Sequence, residues 1–470
     1  ARPSTEDEYV YLFQAKTLAA GRLTYPSPPL PEFFEAAHIL VVPKFTAKYL
    51  PGHAAVLALF AKAGAPWLAP CLLLGVTAAL LFWAARLAGL SRAAALLAPA
   101  LLLCATDVFP FFASYLSQSS SLAAVAAVFV AAIAVERRPS GARVAALCCC
   151  IAFAGLVRPF TGVAAAATGG AVLLRLRLRG RLPLRALAWA LPPLLAGALA
   201  VGIACKAATG SWTTPPWSLY ARQYMPFDGP GIGRVRDVRP ERGFPPHLAG
   251  LHDGFLETRQ KHTWSHLPAE TLRRLRIVAD LPPSWAILPF AVAGLFWTPL
   301  WATSVFAAVF FAASLTFHVG GAIYHLELYP WLVLAAAAGA QLAVAAALRL
   351  RRPLALAACI LLAIPALWTT VRAATELRLV LMRAPERGWT YARWEPAFEW
   401  LRARRALVFI RYPPGWDYNI DLTYNEPDLE SAELVRAIDK GSRDAELLPY
   451  FPGRPAFVLD PITLRVERIR

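Results

Sequence analysis

The residues most able to do chemistry stand in a few short stretches. "TEDEYVYLFQAKTLAAG" at 5–21 opens with Asp7 and Glu8, in a chain that has only 30 acidic residues among 470. The start of a helix presents free N–H groups that favour a carboxylate. A carboxylate held there at a membrane surface can act as a general base. The same residues also read structurally, because Thr5 followed three positions later by Glu8 is a capping box. "KFTAKYLPG" supplies Lys44 and Lys48. A lysine at headgroup level is a point charge suited to a phosphate, although snorkelling explains it equally well. Arg158 in "VRPF" interrupts an apolar run, and a buried arginine is costly unless it meets an anion. Asp107 ends another apolar run. His325 and Glu327 lie in "YHLELYP", and Tyr220 and Arg222 lie in "WSLYARQY". These last five are contact candidates, each with an ordinary capping or interfacial role as its alternative.

The elements that must position these groups are membrane helices. The chain is 57% hydrophobic and 16% charged, against about a quarter charged in soluble domains. Its apolar residues come in Ala/Leu/Val-rich blocks of about 15 to 25, the length that crosses a bilayer as helix. They do not alternate as barrel strands would. The net charge of +17 does not point to nucleic acid, because the arginines cluster in short loops between apolar runs, the positive-inside pattern. All seven cysteines lie in or beside apolar segments, so no disulfide framework is expected. His247, His252, His262 and His266 share one loop without clean metal spacing, though His262 and His266 fit one helix face. "DGPGIG" at 228–233 has no strand and helix around it and reads as a turn, not a nucleotide loop.

Placing the basic loops 86–92, 136–143, 175–185 and 349–353 on one face requires an even number of spans between neighbours. About ten spans satisfy this: 66–85, 93–110, 117–135, 142–157, 160–174, 185–206, 284–297, 300–318, 328–348 and 354–373. "PGHAAVLALFAKAG" at 51–64 is too short to cross and reads as interfacial or re-entrant. The organisation expected is a first outer loop (1–65), a bundle in two parts (66–206 and 284–373), an outer loop (207–283) and an outer α/β domain (374–470). In that tail "RALVFIRY", "RPAFVLD" and "TLRVERI" read as strands. "PDLESAELVRAID" reads as an amphipathic helix capped by Asp428.

"DEYVYLFQAKTLAAGRLTYPSPPLPEFFE" followed by "KYLPG" resembles the first outer loop of family 39-like GT-C glycosyltransferases, which include protein O-mannosyltransferases and the lipid A aminoarabinose transferase. Asp7 and Glu8 match the family's acidic pair and Lys48 its lysine, with Leu50 where a proline is common. "GLVRPFTG" and "YHLELYPWLVL" resemble later elements of bacterial members. In the family a membrane helix precedes the acidic loop, so the resemblance implies one ahead of Ala1.

The resemblance implies an all-α polytopic fold of GT-C type with a small extracytoplasmic α/β domain. It implies transfer of a sugar from a polyprenyl phosphate to an acceptor hydroxyl or amine, with inversion, at the outer face of a bacterial inner membrane. Asp7 or Glu8 would be the base, and Lys48, Arg158 and His325 would bind the donor phosphate. Asp107, Glu327, Tyr220 and Arg222 would contact donor or acceptor. No cofactor is required, and a divalent cation is compatible. The expected partners are the lipid-linked sugar, an acceptor that is protein, lipid or glycan, and the bilayer. The rival readings are a transporter or flippase and a non-catalytic scaffold. A transporter places ionisable residues mid-span, whereas spans such as 66–85 and 328–348 have none in their middle.

Overall fold

The computed structural model describes residues 3–105, 108–233, 235, 239–281, 285–350, 371, 375 and 391–469. The span expected at 354–373 and Asp107 therefore lie outside the described residues, apart from Val371. Helix α1 (Glu6–Ala19) is followed by a small sheet of β1 (Tyr25–Pro26), β2 (Ile39–Leu40) and β3 (Lys44–Ala47), in the order β1-β3-β2. Helix α2 (Gly52–Ala61) leads into the apolar helices α3 (Leu68–Leu87), α4 (Arg92–Leu103), α5 (Gln118–Arg137), α6 (Gly141–Val157), α7 (Pro159–Leu178) and α8 (Leu184–Thr209). The long loop carries α9 (Pro216–Tyr224), α10 (Ala249–Lys261) and α11 (Leu267–Asp280). Helices α12 (Leu288–Gly294), α13 (Trp301–Ser314) and α14 (Tyr329–Leu350) complete the described bundle.

Each expected span within the described residues contains a helix. The protein is a multi-pass membrane protein: α3, α5, α7, α8 and the segment Leu326–Arg349 are each long and apolar enough to cross. The pair at 288–314 counts as a sixth span if it is one crossing bent by 92°. Helix α5 is the centre, buried along most of its length and packed by α3, α6 and α7. Helix α8 lies outermost, with Leu191, Leu195 and Leu199 exposed, which is how a lipid-facing helix reads.

The tail holds α15 (Glu395–Arg402) and strands β4 (Leu407–Ile410), β5 (Val435–Ile438), β6 (Ala456–Leu459) and β7 (Val466–Arg468). They form one sheet in the order β5-β4-β6-β7, parallel except for β7. The helix expected over 427–439 is absent. Asp428 does cap, but it caps a turn, accepting from the N–H groups of Glu430 and Ser431. Val435–Ile438 is then a strand beside β4. The slot next to a buried parallel strand outweighs a helical pattern, because parallel strands buried on both faces read as nearly continuous apolar runs.

The first 50 residues and the tail share a core. Phe13, Phe33, Phe34 and Phe45 pack with Leu407, Phe409, Val435 and Val458. The long loop joins them: Leu248 and Leu251 enter the same core, and His247 stacks flat on Tyr412 at 4.1 Å. Three segments far apart in sequence thus form one cap over one end of the bundle.

Candidate active site

The three successive acids at the start of α1 point in three directions, as residues about 100° apart on a helix must. Glu6 turns toward the tail, and burial pushes its carboxyl up to about 7, assisted by the neighbouring charges of Asp7, Asp421 and Asp417. Glu8 is buried and accepts from the Ser4 N–H at 2.9 Å. The expected capping box is therefore altered, because Thr5 is the N-cap but its side chain makes no capping bond. Asp7 keeps its side chain 40% exposed. It accepts a hydrogen bond from the Tyr49 hydroxyl, and His38 Nε2 lies 3.7 Å from it. That contact is not an ion pair. Burial and the nearby Lys48 ammonium pull His38 down to about 3, so its imidazole is neutral at pH 7.

His38 sits at φ +64°, a left-handed conformation uncommon for a side-chain-bearing residue. Its N–H donates to the Tyr220 hydroxyl at 3.1 Å and its carbonyl accepts from the Lys48 N–H at 3.0 Å. This closes the β2-β3 hairpin and brings Lys48 back beside Asp7. The Lys48 ammonium lies over the ring of Tyr220 at 5.0 Å and that of Tyr49 at 5.4 Å. Burial pushes this lysine below its ordinary range, with Asp228 and then Asp7 opposing the shift. Asp228, from the glycine turn, is the second carboxylate facing Lys48. Burial pushes it upward against the pull of Lys48, and its Oδ1 has no hydrogen-bond partner.

Two close backbone approaches bring the bundle to this site. A side chain at Gly52, the first residue of α2, would strike the backbone of Leu156 and Val157. The end of α6 therefore abuts the "KYLPG" turn. A side chain at Gly162 would strike Gly155, so α6 and α7 pinch together around Arg158, the residue between them. The Arg158 guanidinium lies 3.3 Å from Glu327. Tyr11, Tyr324 and Asp7 are its further electrostatic neighbours. Glu327 also accepts from Ser121 at 2.8 Å. Tyr324 faces Asp7, Arg158 and Asp228 together, and burial followed by the Asp7 charge raises its phenol to about 12.

The structure thus brings Asp7, Lys48, Arg158, Glu327 and Tyr220 into one neighbourhood. It does not bring Arg222 there, whose side chain is exposed near Glu241. His325 is buried, with its ring bonded to the Gly321 carbonyl at 3.0 Å and beside Ser314, and belongs to the α13–α14 turn. Lys44 is exposed. His262 and His266 share no helix face, because His262 ends α10 and His266 precedes α11. Among the described residues no three His, Cys, Asp or Glu side chains stand close enough to hold a metal ion. Sequence reasoning missed His38, Tyr49, Asp228 and Tyr324. Tyr49 lies inside the "KYLPG" motif and was within reach, whereas nothing local marks the others.

The fold has a counterpart among solved structures. It is similar to the crystal structure of ArnT from Cupriavidus metallidurans bound to undecaprenyl phosphate, at a TM-score of 0.51 and 15% identity, covering 97% of this chain and 88% of that one. No protein-family model matches the chain, and no curated protein sequence matches it.

Proposed function

We propose that this protein is a glycosyltransferase that takes a sugar from a polyprenyl-phosphate donor at the outer face of a bacterial inner membrane. The reading is carried by one juxtaposition: an accessible carboxylate, Asp7, beside the two half-buried cations Lys48 and Arg158. The fold supports it, since ArnT with this fold is described as bound to undecaprenyl phosphate.

In the reaction proposed, the acceptor hydroxyl or amine gives its proton to Asp7 as its heteroatom attacks the anomeric carbon. The bond from that carbon to the phosphate oxygen breaks, and the electron pair leaves with the phosphate. The leaving group is already an anion and needs no general acid. It needs positive charge where its own charge grows, and Lys48 and Arg158 supply it. A single displacement inverts the anomeric centre. Glu8 is a structural neighbour rather than the base, because its carboxylate is buried and bonded to the Ser4 N–H. His325 is bonded within the α13–α14 turn, and Arg222 is exposed near Glu241.

The test is turnover of an undecaprenyl-phosphate-linked sugar by the purified protein in vesicles. Release of undecaprenyl phosphate, with the opposite anomer in the product, is expected. A retained anomer removes the single displacement. Movement of the intact lipid-linked sugar between leaflets without bond cleavage establishes the transporter reading in its place.

A further inference from the structure

A groove of about 670 Å³ runs between α1 and the tail, lined by both and by none of the bundle helices. Tyr9, Leu12, Phe13 and Lys16 form its α1 wall, the spacing of one helix face. Asp7 lies on another face with Gln14, which donates to the Tyr49 carbonyl at 2.9 Å. The groove and the base are therefore separated by the thickness of a helix, about 10 Å. An oligosaccharide spans that distance and a single sugar does not.

The opposite wall contains Arg436. Its neighbours on β5, Val435 and Ala437, enter the core shared with the first segment. By strand alternation its own side chain faces the other way, stacked over Phe398 at 4.1 Å. Asn425 grips its backbone through both the N–H and the carbonyl. The guanidinium itself makes no hydrogen bond or ion pair with any described residue. The other cations on the groove are engaged: Lys16 meets Glu426 at 2.5 Å, and Arg402 lies 3.6 Å from Glu395. Burial pulls the Arg436 guanidinium below the ordinary arginine value. An arginine held partly out of water without a counter-ion is a site for one.

The rest of the lining decides which anion. Asp428 and Glu433 also face the groove, so with Glu395 and Glu426 four carboxylates stand against the three cations. A multiply charged phosphate is repelled by that balance. A singly charged ligand rich in hydroxyls is not, because the carboxylates accept its hydroxyl hydrogen bonds. Tyr9, stacked on Tyr424 at 4.9 Å and 1°, gives the aromatic wall on which a sugar ring lies.

We propose that this groove binds a carboxylate-bearing sugar unit of a glycan acceptor, with Arg436 as its anion contact. The acceptor identity rests on the glycosyltransferase reading, while the binding site does not. The experiment measures binding of glucuronosyl-xylotriose, a tetrasaccharide with a single carboxylate, to the protein in detergent, against neutral maltotetraose and inorganic phosphate. Hydrolysis of the lipid-linked donor in water is followed in parallel.

Arg436→Gln should weaken glucuronosyl-xylotriose about tenfold to a hundredfold, the worth of a charge-assisted hydrogen bond. Ser431→Trp, at an exposed lining position, should block the groove and leave Arg436 intact. Donor hydrolysis should be the same in both variants. Equal binding of maltotetraose, displacement by an equal concentration of phosphate, or full affinity in both variants each overturns the proposal. Donor hydrolysis without glucuronosyl-xylotriose binding overturns the groove alone. Arg436-dependent binding without donor hydrolysis leaves the groove standing as a glycan site and removes the transferase.

Discussion

Beside each end of α5 a glutamate meets an arginine, and the two pairs differ in what they leave unfinished. At the far end Glu136 meets Arg175 at 2.8 Å, and both its oxygens accept from the Trp301 indole N–H at 2.9 and 2.8 Å. The Arg175 guanidinium also covers that indole at 4.6 Å. The network is closed, and it gathers the basic loops at one end of the bundle. At the near end Glu327 meets Arg158 at 3.3 Å, but Arg158 Nη1 and Glu327 Oε2 have no hydrogen-bond partner. Buried polar groups are normally satisfied, and an unfilled pair beside an accessible carboxylate has capacity left for a ligand. The same two residue types thus serve structure at one end, and at the other we assign them to function.

The sharpest way to break this contrast is at Asp7. Asn caps a helix about as well as Asp, so Asp7→Asn keeps the start of α1 and removes the proton acceptor. Positioned bases contribute roughly 10²–10⁴-fold, and turnover should fall by that factor while donor binding persists. Full transfer by Asp7→Asn, measured with a competent acceptor, would return the base role to Glu8 or Asp107.

How much of this contrast was legible beforehand depends on how local its causes are. Spans and basic loops are properties of contiguous runs, and the helices fall on those runs. Strands β4, β6 and β7 likewise lie in "RALVFIRY", "RPAFVLD" and "TLRVERI". Strand β5 was misread because its sequence carries a helical pattern, and only the vacancy beside β4 makes it a strand. Asp7, Lys48 and Arg158 were visible as costly charges at informative places. His38 and Asp228 were not, because their roles come from contacts across the cap. His38 bonds to Tyr220, 182 positions away, and Asp228 reaches Lys48 from a turn that reads as a plain glycine turn. The contacts of His325 with Ser314 and Gly321 were hidden for the same reason, since its motif says nothing of either.

The next largest effects belong to the cations. Hydrogen bonds to charged groups are worth about 1.5–3 kcal/mol, so Lys48→Ala and Arg158→Ala should each raise the donor dissociation constant about tenfold to a hundredfold. Donor affinity equal to wild type in both variants would take the phosphate site elsewhere in the cap.

Lys48 can be separated from a plain structural lysine by pH. Burial favours its neutral form, so its ammonium loses the proton below the ordinary lysine range of about 10.4. The cationic form captures the donor, hence kcat/KM for donor should fall as pH rises through that lowered value. Arginine stays protonated throughout. Lys48→Arg, where it retains activity, should move the alkaline limb out of range. An unchanged limb in that variant assigns the titration to another group.

The smallest effect tests the two glutamates directly. Glu136→Gln keeps one oxygen for the Trp301 N–H and weakens the pairing with Arg175. That pair is partly exposed, and pairs of this kind are worth about 1 kcal/mol or less. A small fall in thermal midpoint is expected, with donor kcat/KM unchanged. Glu327→Gln also keeps an oxygen for the Ser121 hydroxyl, but it takes away the charge that holds Arg158 in place. Arg158 is then free to turn from the donor, and kcat/KM should fall several-fold with little change in midpoint beyond that of Glu136→Gln. The conservative Glu327→Asp should recover part of the loss, because the charge returns even though its reach is shorter. If both Gln variants lower the midpoint alike and neither touches kcat/KM, the open pair at the near end is a strut like its counterpart. Arg158 would then need a partner other than the donor phosphate to account for its unfilled Nη1.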